Sequence, residues 1–212
     1  MKKNIFNLLI IVATGIAIVG CKNKAEEVTT TNTETAMLAE YDDVTYTVNV
    51  DESTIEWQGF EPTGTHNGSI NRESGTYTTY SGTIQSSAFV IAMSSIKESE
   101  DNARLEGHLK SADFFDIEKF PTAGFKISGL VSKDGNTMLS GNLTIKDTTN
   151  NVTFPVTVVL EDDTLTLSSE VFTIDRSKWN VRYGSKSFFD NLKDKFINDD
   201  IELKIVIKAK KS

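Results

Sequence analysis

From residue 44 onward, apolar and polar residues alternate along the chain with a period of two. This alternation is typical of strands that bury one face and expose the other. It is clearest in "IELKIVIKA" (201–209), where the odd-numbered residues predict an inward face while Glu202, Lys204 and Lys208 face water. The stretch "AFVIAM" (88–93) is apolar on both faces, so we expect it to be covered more deeply. The pattern predicts eight or nine short strands, at 44–50, 54–60, 88–93, 123–131, 141–147, 152–160, 163–169, 170–176 and 201–209.

Turn-forming residues lie between several of these strands. They occupy 133–136, 149–151 and 161–163, and we interpret 59–68 as a further loop between strands.

Two segments break the alternation. In residues 99–116, Leu105 and Leu109 have helical spacing, and Ser99 or Asp101 is a possible N-cap. In the long connection 185–200, a short helix is predicted at 188–195. Many short strands with few interruptions favour an all-β fold, an eight-stranded antiparallel barrel closed on itself with one or two short helical insertions.

The N-terminus has the pattern of a secretory signal. Two lysines precede an apolar stretch over 5–20, which is shorter than the ~20 residues that a membrane-spanning helix needs. The stretch ends at Cys21, the only cysteine of the chain. A buried core helix and an incidental cysteine are the alternative interpretation.

Residues 18–21, Ile-Val-Gly-Cys, resemble the lipobox of bacterial lipoproteins. The resemblance implies cleavage after residue 20 and acylation of Cys21, whose thiolate is a strong nucleophile. We therefore expect export and a membrane anchor through Cys21. Residue 22 is Lys rather than Asp, and in this the chain resembles lipoproteins sorted to the outer membrane. We therefore expect the anchored domain to face the periplasm from the outer membrane.

The segment after Cys21 is rich in Thr, Glu and Lys and has no aromatic residue before Tyr41. Such a composition is typical of a flexible tether, predicted here over 21–43. The remaining chain divides into one barrel domain at 44–209 and a tail at 210–212.

Charge excludes some classes of partner. Removal of residues 1–20 takes away two of the 22 basic residues and none of the 30 acidic ones, which leaves a net charge of 20 − 30 = −10. This charge argues against nucleic acid and against a membrane surface bound by charge alone. We expect no cofactor.

Catalytic and metal-binding patterns are weak. His66 and His108 are the only histidines, and nothing in their spacing requires them to converge on a metal. Ser111, His108 and Asp113 lie within six residues and lack a Gly-x-Ser-x-Gly elbow, so a hydrolase triad is not favoured. We expect no enzymatic activity.

Four basic residues, Arg176, Lys178, Arg182 and Lys186, cluster near the C-terminal end. They could meet an anionic head group, but solvation or pairing with Asp175 and Asp190 is the favoured interpretation.

Three stretches carry a specific family resemblance. "GHLKSADFFDIEKFPTAGFKI" (107–127), "SGNLTIKDTTNNVTFPVTV" (140–158) and residues 174–209 resemble the YceI-like family, in particular its lipoprotein branch. The resemblance implies an extended lipocalin-like barrel, export, and a long isoprenoid or similar amphiphile inside the barrel. Ser86, Ser87 and Ala92 depart from the family pattern in one strand.

The candidate ligand-binding residues are apolar residues on shared strand faces, with a possible lid at one end. From the residues alone a solid core is the favoured interpretation, whereas the resemblance favours a cavity. A non-ligand structural or interaction protein of the cell envelope is therefore the alternative function. The wall candidates are Trp57, Phe89, Ile91, Met93, Phe125, Ile127, Leu143, Ile145, Phe154, Val156, Phe172 and Ile174, and the lid candidates are Leu105, Leu109, Phe114 and Phe115.

Overall fold

The computed structural model describes residues 25–32, 44–80, 83–133 and 136–212, and the predicted signal segment and Cys21 lie outside these ranges. One helix, α1, spans Ala103–Lys110, and single 3-10 turns lie at Met93–Ser95, Arg176–Trp179 and Lys193–Lys195. Thirteen strands make up the described sheet: β1 Thr29–Thr31, β2 Val44–Val48, β3 Thr54–Glu61, β4 Gly64–Ile70, β5 Arg72–Tyr80, β6 Thr83–Ala92, β7 Lys97–Glu98, β8 Thr122–Lys133, β9 Asn136–Ile145, β10 Thr148–Glu161, β11 Thr164–Ser169, β12 Phe172–Asp175 and β13 Asp200–Lys211.

Eight of these strands close into a ring in which every neighbouring pair is antiparallel. The order around the ring is β2-β5-β6-β8-β9-β10-β11-β13, and β13 pairs with β2 to close it. The predicted eight-stranded barrel is confirmed.

Strand β13 gives the barrel two distinct ends. Its first half pairs with β3 and β12, and its second half pairs with β2 and β11. Strands β4 and β7 extend the sheet beyond β3 at the first of these ends. We call the end near Ile201 the mouth. The opposite end carries the β10–β11 turn, close to Lys210.

Two predicted loops are wrong. Residues 59–68, predicted as a loop, form the end of β3, the tip of the β3–β4 hairpin and most of β4, with Glu61 paired to Gly64. Residues 149–151 lie in β10 rather than in a turn, since the chain reverses at Lys146, which has a φ of 55°. Asn151 is polar but buried, and its amide donates to Ser128 Oγ and Asn142 Oδ1, which explains why an asparagine lies inside a strand.

The predicted helix at 188–195 is also wrong. A single 3-10 turn at Lys193–Lys195 is the regular structure in that segment. The strands β4 and β5 were not predicted, because glycine, threonine and charged residues interrupt their apolar alternation. Strand β13 also runs to Lys211, two residues past the predicted end of the barrel domain at 209.

Part of the predicted tether lies against the barrel. Thr29–Thr31 forms β1 on the edge of β10, and Val28 is buried. The Ala25 amide donates to Glu202 Oε1 at a distance of 3.1 Å, which places residue 25 beside the first half of β13. The flexible-tether prediction therefore does not describe residues 25–32. Among the described residues, no helix has the length and hydropathy needed to cross a membrane.

Aromatic rings pack against one another in the barrel interior away from the mouth. Phe89, Phe125, Phe154 and Phe172 form a row with successive ring-centroid distances of 6.3, 6.0 and 4.1 Å. Gly141 accommodates this row, because a Cβ built there would lie 2.2 Å from Phe125 Cζ.

Replacement of Gly141 by alanine is expected to lower the free energy of unfolding by ~1–3 kcal/mol, because the Phe125 ring must leave its position in a packed core. Gly129→Ala on β8 is the matched control, since a Cβ there meets nothing within 4 Å. Urea denaturation of both variants measures the effect. Equal stability of the two variants would contradict the close approach of Phe125.

Candidate binding cavity

An apolar chamber of about 270 Å³ lies at the mouth of the barrel. Strands β3, β6, β9 and β13 supply its wall through residues such as Trp57, Ile91, Leu143 and Leu203. We call it the upper chamber. Its volume is close to the lower end of the ~300–1,000 Å³ range typical of small-molecule sites.

Helix α1 and the residues after it cover the upper chamber. Asn102 begins the helix by accepting a hydrogen bond from the Leu105 amide at 3.1 Å, so Leu105 and Leu109 share the face that lines the chamber. The predicted N-caps are therefore wrong. Asp101 pairs instead with Lys97 at 2.6 Å.

The end of the lid is fixed by backbone hydrogen bonds and aromatic packing. The Phe115 amide donates to the Leu109 carbonyl at 3.1 Å, and the Phe114 and Phe115 rings lie 4.9 Å apart. Phe114 is buried, and both rings line the chamber. The structure places the four predicted lid residues, Leu105, Leu109, Phe114 and Phe115, together along the chamber, and their part in ligand binding stays a prediction.

Arg176 lies under this lid and is buried, although solvation or ion pairing is predicted for it. It was expected to be solvated or paired with Asp175, whereas it is 1% exposed and its guanidinium lies 5.1 Å from the Phe114 ring centroid. Burial lowers the pKa of Arg176, and the charges of Asp199 and Asp175 oppose that effect. Its Nη2 atom is 3.3 Å from Asp199 Oδ1.

Both histidines line the upper chamber without forming a metal site. His66 Nε2 lies 3.5 Å from Glu61 Oε1, and the His108 ring packs 4.4 Å from that of Tyr183. In the part of the chain that the structure describes, no group of three or more His, Cys, Asp or Glu side chains could hold a metal ion.

The Ser111 hydroxyl does not take part in a catalytic triad. It donates to the backbone carbonyl of His108 at 2.8 Å, so it stabilises the end of α1 rather than facing the imidazole. A nucleophilic serine would need its base within hydrogen-bond reach.

A second, smaller cavity of about 80 Å³ continues inside the barrel, beyond the upper chamber. We call it the lower chamber. Ile55, Ile91, Leu143 and Leu203 line both cavities, which are therefore separated by a single layer of side chains.

Two buried polar residues adjoin the lower chamber. Arg72 donates through Nη2 to the carbonyls of Val50 and Ser53 at 3.2 and 2.9 Å, while its Nε and Nη1 and the Tyr77 hydroxyl have no hydrogen-bond partner. Burial raises the pKa of Tyr77, and the nearby charge of Arg72 opposes that effect. Burial lowers the pKa of Arg72, because it disfavours the charged form of the guanidinium. The surface of the chamber itself is apolar, so these polar atoms lie behind its wall.

The structure brings together all but one of the predicted site residues. Ten line the upper chamber: Trp57, Ile91, Met93, Leu105, Leu109, Phe114, Phe115, Leu143, Ile145 and Ile174. Seven line the lower chamber: Phe89, Ile91, Phe125, Ile127, Leu143, Phe154 and Phe172. Val156 lines neither chamber and is packed in the core.

Several lining residues were not predicted as site residues. Ile55, Ile201 and Leu203 belong to apolar rows that the alternation already identified, and extension of those rows would have found them. Ile70 and Ile197 lie in segments with no strand or helix signal in the sequence, and Phe60 lies where the predicted strand 54–60 overlaps the predicted loop 59–68. Only the fold brings these three residues to the chamber.

A family model described as the YceI-like domain matches residues 46–209, which include the barrel ring apart from its terminal residues and the residues that line both chambers. The chain belongs to the YceI-like family. The family prediction is thereby confirmed, while its lipoprotein branch stays a prediction. Among curated proteins, none matches the sequence.

Solved structures place this YceI-like chain among similar folds. Burkholderia cenocepacia BcnA is 23% identical, with a TM-score of 0.63 over 76% of this chain and 98% of that one. A polyisoprenoid binding domain from Saccharophagus degradans, implicated in plant cell wall breakdown, is 10% identical, with a TM-score of 0.58 over 79% of this chain and 98% of that one. At these identities the likeness shows the fold of the YceI-like barrel alone.

Proposed function

We propose that this YceI-like protein binds one long-chain isoprenoid or similar amphiphile, with its apolar chain in the upper and lower chambers. The observation that carries the proposal is the apolar upper chamber under an aromatic lid. A second cavity inside the barrel shares four of its lining residues. A barrel with a solid core would leave no such space at the mouth. The polyisoprenoid binding described for the Saccharophagus degradans domain supports the same ligand class.

The energetics favour exchange with a membrane rather than capture from water. Burial of one five-carbon unit is worth ~4 kcal/mol at ~0.8 kcal/mol per carbon group. A few units would therefore exceed the ~20 kcal/mol limit of non-covalent affinity if the lipid came from water. A bilayer already shields the chain from water, so transfer from bilayer to barrel is near balance and the shape of the chambers determines selectivity. Nothing in this mechanism requires catalysis.

We further propose that the protein is exported and anchored through acylated Cys21, in the outer membrane facing the periplasm. The lipobox-like residues 18–21 support the acylation, and Ala25 beside Glu202 would start the anchor near the mouth. Incorporation of an alkyne-labelled fatty acid into the wild-type chain, but not into a Cys21→Ser chain, is the expected result. Equal labelling of the two chains would contradict an anchor at Cys21.

Native mass spectrometry of residues 22–212, purified from bacterial cells, tests the ligand. These residues contain every strand of the described sheet and lack Cys21, so only a cavity could retain lipid. We expect one isoprenoid-like lipid per chain, identified in the organic extract. A mass without lipid in repeated preparations would overturn the proposal in favour of a protein without a ligand.

A further inference from the structure

We propose that the segment 182–196, which we call the mouth loop, docks on the anionic surface of a lipid bilayer. The proposal rests on the proposed function for its purpose, because docking would let the chambers exchange lipid with the membrane directly. Five observations carry it: exposed aromatic rings, a reversal of local charge, contacts between basic groups and rings, the position beside the mouth, and hydrogen bonds that hold the first half of the loop.

The mouth loop exposes three large aromatic side chains. Tyr183, Phe188 and Phe189 are 44%, 38% and 49% exposed, whereas the other exposed large apolar residues of the described chain are valines and a leucine. Aromatic rings are enriched at the boundary between lipid and water, where an apolar ring can leave water without complete burial.

The charge of the mouth loop is opposite to that of the whole chain. It holds Arg182, Lys186, Lys193 and Lys195 against two aspartates, which gives 4 − 2 = +2 in a chain with a net charge of −8. All four basic side chains are exposed. The overall negative charge argued against a membrane surface, but a basic patch near an anionic leaflet is attracted locally, over about one Debye length.

Basic and aromatic groups of the loop contact each other. The Lys186 ammonium lies 3.3 Å from the Phe196 ring centroid, and the Arg182 guanidinium lies 4.8 Å from that of Phe188. Such pairs keep the charges beside the rings, so that head groups and acyl chains could be contacted together.

The mouth loop lies at the entrance of the upper chamber. The Tyr183 ring contacts His108, and the Gly184 carbonyl accepts a hydrogen bond of 2.8 Å from the Ile197 amide. His108 and Ile197 both line that chamber. Ala25 lies at the same end of the barrel, and Cys21 is four residues earlier, at most ~14 Å away along the chain. An anchor at Cys21 would hold the mouth near the membrane.

Hydrogen bonds hold the first half of the loop, where the three exposed rings lie. The Tyr183 carbonyl accepts a hydrogen bond from buried Arg176, and the hydroxyl of buried Ser185 accepts one from the Ser187 amide. Ser187 also donates to Asp199 Oδ2 at 2.6 Å. The aromatic side chains are therefore presented on a prearranged surface, which reduces the entropy cost of docking.

Vesicle sedimentation with residues 22–212 tests the proposal. We expect binding to vesicles of phosphatidylethanolamine and phosphatidylglycerol that weakens with added salt, and much weaker binding to phosphatidylcholine alone. The double variant Phe188→Ala/Phe189→Ala should lower partitioning at least ~tenfold, since each ring loses its transfer out of water. Lys186→Gln, which removes one basic charge, should lower it about fivefold and remove part of the salt dependence.

Leu160→Ala is the matched control, because Leu160 is also 49% exposed but lies by the β10–β11 turn at the opposite end of the barrel. It should bind vesicles as the wild type does. Equal binding by the wild type and the double phenylalanine variant would overturn the docking surface, as would equal binding to both kinds of vesicle.

The lipid retained by the same samples in native mass spectrometry separates this proposal from the proposed function. If lipid is retained and the loop substitutions do not change vesicle binding, docking is refuted and the proposed ligand binding is supported. Loop-dependent vesicle binding without retained lipid supports docking and refutes the ligand.

Discussion

Replacement of Arg176 by methionine is expected to lower the free energy of unfolding by about 3–5 kcal/mol. The guanidinium donates to the carbonyls of Val181, Tyr183, Ile197 and Asn198 at distances of 2.8 to 3.1 Å. Methionine preserves much of the apolar stem but leaves one buried acceptor, the Val181 carbonyl, and three partly buried ones without their donor. Each acceptor then carries a desolvation cost that was offset in the wild type.

The Arg176 substitution should also alter the mouth, since the same side chain packs on the Phe114 ring of the lid. Urea denaturation followed by tryptophan fluorescence measures the loss of stability. Trp179 reports on this region, because it is fully buried and lies three residues after Arg176 in the sequence. Arg176→Lys should lose nearly as much stability, since one ammonium cannot reproduce the planar arrangement of the guanidinium donors.

Lys178→Met is the matched control for Arg176→Met. Lys178 is 37% exposed and pairs with Glu27, itself 45% exposed, at 3.1 Å. Loss of an exposed ion pair should cost less than ~1 kcal/mol. If the Arg176 and Lys178 variants were equally stable, the hydrogen-bonded Arg176 network would not be what fixes the mouth.

The barrel could be predicted from the sequence because its strands bury one face. The rows that start at Phe89, Phe125 and Phe154 repeat every second residue, and the structure places their members inside. Strands β4 and β5 escaped prediction because their residues are stabilised by pairing with neighbours rather than by a continuous apolar face. The chain reversal at Lys146 escaped because the nearby Asn150 and Asn151 had a stronger turn signal.

The candidate site was predictable as a set of apolar rows but not as a cavity. The same alternation is compatible with a packed core or with a chamber, since both require inward apolar residues. Whether space remains depends on the volumes of side chains that face each other across the barrel. The row of four phenylalanines leaves only the about 80 Å³ of the lower chamber, whereas the smaller Ile91, Leu143 and Leu203 help to leave about 270 Å³ in the upper chamber. The role of Arg176 was not predictable, because its carbonyl partners lie in irregular segments that only the fold brings together.

Replacement of Ala123 by phenylalanine is expected to abolish retention of the proposed lipid with little loss of stability. Ala123 is buried and lines the upper chamber, so the added ring can occupy the about 270 Å³ that the ligand would use. Because the chamber is apolar and open, the added ring can enter it, and the free energy of unfolding should stay within ~1 kcal/mol of the wild type.

Ala209→Phe is the matched control, since Ala209 is fully buried in β13 but lines neither chamber. Its added ring has no space, so it should lower stability by ~1–3 kcal/mol, and any remaining folded protein should keep its lipid. Native mass spectrometry and urea denaturation of both variants give the two readouts. A folded Ala123→Phe protein that retains lipid at the wild-type ratio would place the ligand outside the upper chamber. Loss of lipid without loss of stability in Ala123→Phe, and loss of stability without loss of lipid in Ala209→Phe, would separate occupation of the cavity from damage to the core.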